Sequence, residues 1–202
     1  MKVIGLTGQS GAGKGCVADV LSEHGIPHID CDAVYHDILV PPSECLDALV
    51  SEFGKKILAP DGELDRKALG KLVFTGSWHK KRLQKLNTIT HGFVLERCRE
   101  IIKGYENDGI KAVTVDAPTL FESGFDRECD IILVVTAPKE ARAERITERD
   151  GITTDAALER ISAQNDEKFY TEKADFVICN DSDLCALRKK TEDFISEFIK
   201  ES

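Results

Sequence analysis

The sequence lacks the features of membrane and secreted proteins. Among its 202 residues there is no apolar run near the roughly 18 residues that a membrane-spanning helix needs. The N-terminal residues, MKVIGLTG, lead directly into a strand-like segment instead of the charged and apolar regions of a signal peptide. We therefore expect a cytoplasmic protein that does not bind membranes.

Basic residues are too few for a broad polyanion-binding surface. Lys and Arg number 27 against 36 Asp and Glu, which gives a formal net charge of −9. Nucleic-acid-binding proteins usually display an excess of clustered Lys and Arg, so this balance argues against nucleic acid as a partner. An anionic small substrate would have to be held in a local basic pocket.

The seven cysteines form no CxxC pair and show no regular spacing. Their arrangement indicates neither a zinc site nor a disulfide framework, and we expect reduced, mostly buried thiols. Internal repeats and low-complexity segments are also missing. A chain of this length without them suits a single compact unit, with monomer as the expected state.

The first part of the chain has the pattern of an α/β protein. A short apolar run over residues 2–7 is typical of a buried parallel strand, and it ends in glycine-rich sequence. A helix is predicted over residues 14–24. A second short strand over residues 27–29 then leads to Asp30 and Asp32, which completes the start of a βαβ unit.

The pattern becomes helical in the middle of the chain and returns to α/β afterwards. Helices are predicted over residues 44–53, 66–74 and 79–103, and residues 41–109 are interpreted as an insertion into a core of residues 1–40 and 110–202. Further buried strands are predicted over residues 112–115, 131–135 and 176–179. Charged helices are predicted over residues 138–150 and 154–164, and a last helix begins at Leu184.

Residues Gly8 to Lys14, GQSGAGK, match the GxxxxGK pattern of a phosphate-binding loop between a predicted strand and a predicted helix. Glycines let the backbone curl so that several N–H groups point at phosphate oxygens, and the helix N-terminus adds partial positive charge. Lys14 would neutralise the terminal phosphates. The alternative is a glycine-rich turn with a solvent-facing lysine, but the strand-loop-helix context favours nucleotide binding.

The residue after Lys14 departs from this pattern. Ser or Thr usually stands there and places a hydroxyl on Mg²⁺, whereas this chain has Gly15. The neighbouring Cys16 is a poor substitute because a soft thiol binds a hard cation weakly. We expect nucleotide phosphates and water to hold Mg²⁺, with Asp32 and Asp116 as candidate ligands through water.

Eight short motifs resemble, in order, those of the dephospho-coenzyme A kinase family. They are GLTGxxGxGK at 5–14, DxD at 30–32, DGxLxRxxL at 61–69, LNxIxH at 86–91, DxPxLFE at 116–122, RxxxRD at 145–150, RxxxQ at 160–164 and ADxVIxN at 174–180. The resemblance implies a three-layer P-loop kinase fold with a parallel sheet, a helical acceptor-binding insertion and a lid over about residues 142–165. It also implies transfer of the ATP γ-phosphate to the ribose 3′-hydroxyl of dephospho-coenzyme A, the last step of coenzyme A biosynthesis, with Mg²⁺.

Asp32 is interpreted as the general base that accepts the hydroxyl proton, although an N-cap of the next helix would use the same residue type. Arg142, Arg145 and Arg149 share one helical face and could clamp ATP phosphates when a lid closes. The motif match supports Arg145 and Arg149 but not Arg142. The alternative is a solvated face on which neighbouring glutamates pair with the arginines.

These interpretations give a complete predicted site. The catalytic residues are Asp32, Lys14 and Arg145. ATP is expected to contact Gly8, Ser10, Gly11, Ala12, Gly13, Lys14, Gly15, Cys16, Arg145, Arg149 and Asn180. The acceptor is expected to contact Thr7, Asp30, Asp32, His91 and Asp116.

Two other functions are compatible with the sequence. One is a P-loop kinase for a nucleoside, nucleotide or small alcohol, because the loop does not choose the acceptor. The other is a nucleotide-binding protein without turnover, which the substitution at Gly15 suggests.

Overall fold

The computed structural model describes residues 1–198 and separates the chain into two compact units. The first unit contains Met1–Asp30 and the chain from Gly104 onward, and the second contains Cys31–Lys103. The second unit starts directly after a strand of the sheet, earlier in the chain than the predicted insertion at residues 41–109.

The helices and strands follow the chain in alternation only in the first unit. The strands are β1 (Lys2–Gly8), β2 (His28–Asp30), β3 (Ala112–Asp116), β4 (Ile131–Thr136) and β5 (Phe176–Cys179). The helices are α1 (Lys14–Glu23), α2 (Cys31–Asp37), α3 (Glu44–Phe53), α4 (Arg66–Phe74), α5 (His79–Asn107), α6 (Leu120–Ser123), α7 (Lys139–Asp150), α8 (Thr154–Ser162), α9 (Glu167–Thr171) and α10 (Leu184–Phe198). Short 3₁₀ turns lie at Lys55–Ile57 and Phe125–Glu128.

The sheet is parallel throughout, with the strand order β2-β3-β1-β4-β5. Its register aligns Asp116 with Leu6 on one side and with Asp30 on the other. Because the carboxyl ends of parallel strands meet at one edge, Asp30, Asp116 and the residues that follow β1 lie at the same edge of the sheet. This edge is where open α/β sheets bind ligands.

Side chains on the central strands alternate between two covered faces. Ile4, Leu6, Leu133 and Val135 belong to a buried cluster that includes apolar residues of α1 and α10. On the opposite face, a Cβ atom at Gly5 would lie 2.8 Å from the Cys129 sulfur and 2.9 Å from Leu120 Cδ2. Helical segments therefore cover both faces of the sheet, and the α/β layered fold predicted from the sequence is confirmed.

Helices α7 and α8, which contain most of the predicted lid, have a small core of their own. Ala143 and Ile146 of α7 pack with Ala157 and Ile161 of α8. The side chain of Thr153 accepts a hydrogen bond from the Ala156 amide and so caps the start of α8. The pair is thus a packed helical hairpin.

The second unit is helical and has a separate apolar core. The core contains Leu39, Cys45, Leu46, Leu49, Phe53, Ile57, Leu69 and Val73. Side-chain caps fix two of its helices: Ser43 accepts from the Leu46 amide at α3, and Asp65 accepts from the Lys67 and Ala68 amides at α4. These caps explain why α3 and α4 begin where the sequence pattern predicts.

The cysteines differ from the prediction in their burial. Cys31, Cys45 and Cys98 are buried and Cys129 is half-buried, but the expectation that most would be buried is wrong for the exposed residues Cys16, Cys179 and Cys185. Within residues 1–198 none of the seven forms a disulfide bond.

Over the same residues, no helix combines the length and apolar character that crossing a bilayer requires.

Candidate active site

The loop between β1 and α1 has a backbone that three glycines make possible. Gly8, Gly11 and Gly13 have φ angles of 146°, 78° and 104°. A Cβ atom at Gly8 would lie 2.2 Å from the Val135 carbonyl oxygen, and one at Gly11 would lie 2.7 Å from the Arg142 carbonyl oxygen. Residues with side chains are therefore excluded by both conformation and space.

The N-terminus of α1 has no side-chain cap from its own N-cap residue. That residue is Gly13, which has no side chain, and no acidic residue stands in the first turn of the helix. The first N–H groups of a helix have no partner within the helix, and the helix dipole makes this end partly positive. The loop and the start of α1 thus form a site suited to an anion, as the GxxxxGK pattern predicts.

Lys14 lies beside the acid at the end of β3. Its Nζ atom is 3.4 Å from Asp116 Oδ1, and the two side chains are 17% and 16% exposed. Both side chains are largely buried, and the paired Asp116 Oδ1 atom has almost no exposed surface. The ion pair also places a carboxylate close to the position where the terminal phosphates of a nucleotide would lie.

Asn180 supports the loop from the side of β5. The residue is buried, and its side-chain Nδ2 group donates to the Ala12 carbonyl at 2.8 Å. Its backbone N–H donates to the Thr136 carbonyl at 2.7 Å. A Cβ atom at Gly13 would lie only 2.4 Å from Asn180 Nδ2. The side chain predicted to line the nucleotide site therefore contacts the phosphate loop itself.

The two arginines of the RxxxRD motif have different surroundings. Arg145 is half-buried, and its Nη1 atom donates to the Gly11 carbonyl at 3.2 Å. Arg149 is exposed and donates from Nε to Asp150 Oδ1 at 2.7 Å. In this structure Arg145 contacts the loop, whereas Arg149 pairs with the adjacent acid.

Asp150 joins this motif to α8. Arg149 and Arg160 both bond to its carboxylate and together lower the pKa of Asp150 to about 2. Arg149 therefore forms its ion pair with Asp150. The alternative interpretation of the sequence pairs the arginines of this helix with neighbouring glutamates instead.

Among the three arginines that share one face of α7, Arg142 is the one that the sequence motifs do not assign to the site. It is 4% exposed, and its Nε atom donates to the Ser10 carbonyl at 2.9 Å. It also bonds to the side chains of Gln9 and Gln164. A signal was present, because Arg142 lies four residues before the buried Ile146 and next to the buried Ala143, on the inner face of α7.

Two further predicted acceptor contacts lie at the same edge of the sheet. Thr7 is fully buried at the end of β1, and its hydroxyl oxygen has no hydrogen-bond partner within residues 1–198. Asp30 is exposed at the end of β2. A buried hydroxyl without a partner is unusual in folded proteins, and within residues 1–198 the Thr114 and Thr147 hydroxyls share this property.

The remaining predicted residues belong to the second unit. Asp32 is exposed in the first turn of α2, and His91 is half-buried on α5. The sequence interpretation of these two residues stays a prediction.

The position after Lys14 has room for a larger side chain. Gly15 and Cys16 are exposed, and a Cβ atom at Gly15 would have no other atom within 4 Å. Neither the backbone nor the packing demands glycine here.

Over residues 1–198 there is no group of three or more His, Cys, Asp or Glu residues arranged to hold a metal ion.

Comparison with known proteins places this chain in a family. The family model for dephospho-CoA kinase matches residues 2–186. The dephospho-CoA kinase of Listeria monocytogenes is 39% identical over 98% of this chain and 98% of its own length. The chain belongs to the dephospho-CoA kinase family.

Solved structures agree with this membership. Dephospho-CoA kinase from Campylobacter jejuni matches with a TM-score of 0.73 and 29% identity, covering 100% of this chain and 99% of its own. A shikimate kinase from Acinetobacter baumannii matches with a TM-score of 0.55 and 16% identity, covering 100% and 95%, which shows a shared fold alone. As a member of the dephospho-CoA kinase family, the chain is an ATP-dependent kinase.

Proposed function

We propose that this kinase transfers the γ-phosphate of ATP to the ribose 3′-hydroxyl of dephospho-CoA, the last step of coenzyme A biosynthesis. Family membership supports the acceptor. The observation that supports the donor is the phosphate loop, whose helix begins without a side-chain cap from its N-cap residue and whose Lys14 lies 3.4 Å from Asp116. A triphosphate is the ligand chemistry that such a loop favours.

Phosphoryl transfer requires the protein to align two substrates and to neutralise charge. We assign neutralisation to Lys14 and Arg145, because one is at the loop and the other contacts it through the Gly11 carbonyl. Asp32 is assigned as the base. The acceptor hydroxyl gives its proton to the Asp32 carboxylate, its oxygen bonds to the γ-phosphorus, and ADP leaves.

The remaining contacts are proposed from the motifs and from position at the sheet edge. ATP would contact Gly8, Ser10, Gly11, Ala12, Gly13, Gly15, Cys16, Arg149 and Asn180 in addition to the charged residues above. The acceptor would contact Thr7, Asp30, His91 and Asp116. Thr7 and Asp30 are included because they lie at the carboxyl ends of β1 and β2, where parallel sheets bind ligands.

One carboxylate next to Lys14 has the donor chemistry that magnesium prefers. The Asp116 carboxylate supplies hard oxygen atoms of the kind that Mg²⁺ prefers, and we propose that it holds the ion through water, with Asp32 as a second such ligand. Bound Mg²⁺ supplies neutralisation of charge on the β- and γ-phosphates. Gly15 offers no hydroxyl, so we expect this chain to need more Mg²⁺ than one with Ser or Thr there.

We also propose that the protein acts in the cytoplasm and as a monomer. The location follows from the sequence pattern and from the chemistry of a biosynthetic kinase, and the monomer is the default expectation for a chain of this kind. Gel filtration with light scattering would test the oligomeric state.

A second candidate function, nucleotide binding without turnover, rests on Gly15. A coupled assay of ADP release distinguishes the two candidate functions. The assay is run with dephospho-CoA, adenosine or shikimate as the acceptor, each over a range of Mg²⁺ concentrations. Release that requires dephospho-CoA and Mg²⁺ is the expected result. Bound ATP with no acceptor-dependent release would favour the second candidate, and release only with another acceptor would overturn the proposed substrate.

A further inference from the structure

Arg142 lies directly behind the phosphate loop and is almost inaccessible to solvent, with 4% of its surface exposed. Its guanidinium group makes three contacts, donating to the Ser10 carbonyl at 2.9 Å, to Gln9 Oε1 at 2.6 Å and to Gln164 Oε1 at 3.1 Å. All three acceptors are neutral oxygens. A charged donor gives its acceptors stronger and shorter hydrogen bonds than a neutral one would.

The acceptors of Arg142 are themselves connected. Gln164 Oε1 also accepts from the Ser10 amide at 3.1 Å, and Gln9 Nε2 donates to the Asn165 carbonyl at 2.8 Å. One closed hydrogen-bond network thus connects Gln9 and Ser10 of the loop, Arg142 of α7, and the segment after α8. The network joins the start of α7 to the segment that follows α8, which together form the open end of the helical hairpin.

Packing adds to this connection. The loop and α7 are in backbone contact, since a Cβ atom at Gly11 would lie 3.0 Å from Arg142 Cα. Arg145, one turn further along α7, reaches the Gly11 carbonyl. The backbone of α7 is therefore fixed against the loop at two successive turns.

The charge of Arg142 is retained inside the protein. Burial lowers the pKa of Arg142 from its usual value, while Glu167 and Tyr170 act in the opposite direction. An arginine stays protonated in proteins because its ordinary pKa is far above neutral. A buried cation at the back of the loop favours an anion at its front, since charges interact strongly where water is excluded.

We propose that Arg142, through Gln9 and Gln164, is a positioning residue for phosphoryl transfer, which fixes the phosphate loop in its ATP-binding form and connects it to the α7–α8 hairpin. Arg142 itself does not touch the reacting atoms. Its planar fork matters, because a lysine cannot reach three acceptors in different directions. The proposal rests on the loop being the ATP site.

The first experiment compares wild-type enzyme with Arg142→Lys and with the control Arg188→Lys, an exposed arginine of α10 that pairs with Glu23 and Glu192. Arg142→Lys should raise KM for ATP about tenfold or more and leave KM for dephospho-CoA within about twofold. Arg188→Lys should change neither constant. Equal KM values for ATP in wild type and folded Arg142→Lys would overturn the proposal.

A second variant covers the case in which Arg142→Lys does not fold. Gln9→Ala removes the side chain that joins Arg142 to Asn165 but leaves the arginine in place. It should raise KM for ATP about threefold to tenfold, and the double variant Gln9→Ala/Arg142→Lys should show less than the product of the single effects. Gln9→Ala with an unchanged KM for ATP would contradict the proposed role.

Thermal shifts with ATP separate positioning from simple stabilisation. If Arg142 positions the loop, ATP should raise the thermal midpoint of Arg142→Lys less than that of wild type. If it only stabilises the fold, both midpoints should rise equally, and the proposal fails. Wild type that releases no ADP with dephospho-CoA would instead count against the proposed function and not against the network.

Discussion

The phosphate loop in the first unit and the helices of the second unit obtain their order from different forces. The loop is held by polar contacts from Arg142, Arg145 and Asn180 and by glycines that cannot accept a side chain. The second unit is held by an apolar cluster that includes Leu46, Leu49 and Ile57.

This difference determines what a substitution can show in each region. In the loop, function and structure depend on the same atoms, so most changes there alter both. In the second unit, Asp32 is exposed on its helix, away from the positions that make the apolar core. A change at Asp32 should therefore report chemistry with little effect on folding.

The largest expected effect is that of Lys14→Met. Removing the ammonium group leaves the phosphates without their nearest cation, so kcat/KM for ATP should fall by roughly 10³-fold. ADP release in the coupled assay measures this, with exposed Lys111→Met as the control. Activity within tenfold of wild type would show that the loop is not the phosphate site.

Asp32→Asn should have the next largest effect. Unlike changes in the loop, it should lower activity without lowering stability. Loss of the base should lower kcat by about 10²-fold or more, with KM for ATP and the thermal midpoint little changed. Steady-state kinetics and a thermal melt test both parts. Asp37→Asn, at the other end of α2, is the matched control. Wild-type kcat in Asp32→Asn would contradict the assignment of the base.

Gly11 of the loop and Gly15 in the first turn of α1 should respond in opposite ways. Gly11→Ala forces a side chain into the left-handed region, which costs about 1–2 kcal/mol before any clash, and its Cβ would lie 2.7 Å from the Arg142 carbonyl oxygen. KM for ATP should rise at least about tenfold, and the thermal midpoint should fall.

A Cβ atom at position 15 would meet no atom within 4 Å, so Gly15→Ser should fold normally. Its hydroxyl should lower the Mg²⁺ concentration for half-maximal activity about threefold or more. The magnesium titration of the coupled assay measures this. An unchanged titration would contradict the account of how magnesium is held, and normal kinetics in Gly11→Ala would contradict the account of the loop backbone.

The smallest effect should come from Asp150→Asn, outside the loop. Because Arg149 and Arg160 lower the pKa of Asp150 from 3.8 to about 2, its contribution to stability is present above pH 3.8 and is lost as the pH falls through about 2. The thermal midpoint at pH 7 should fall by about 2 °C or less, because the pair is exposed.

The difference between wild type and Asp150→Asn should shrink between pH 3.8 and about 2. Thermal melts across this range, with exposed Asp193→Asn as the control, test the prediction. A difference that is constant over the whole range would contradict the assigned ion pairs.

The sequence predicted those parts of the molecule that depend on local pattern. The strand of residues 176–179 and the helices of residues 44–53 and 66–74 appear with the predicted bounds, because apolar periodicity and caps lie within a few residues of each other. The phosphate loop was predictable for the same reason. The helix predicted to end at Lys103 continues through Gly104 to Asn107, and Gly109, with a φ of 77°, follows its end.

The parts that depend on distant residues were not predictable. Arg142 meets Gln9 across 133 positions of the chain, and no motif connects the two. Spacing showed three arginines on one face of α7 but not that one is buried, one is half-buried and one is exposed. Burial and partner choice come from the packing of α7 against the loop, which a single sequence does not contain.

A crystal structure with a non-hydrolysable ATP analogue and Mg²⁺ would test the central claim most directly. We predict phosphate oxygens within about 3 Å of backbone amides of the loop and of the first turn of α1, with Lys14 Nζ on the terminal phosphates and Arg142 unmoved behind them. Phosphates bound away from Lys14, or a loop that leaves Arg142 when the nucleotide binds, would contradict it.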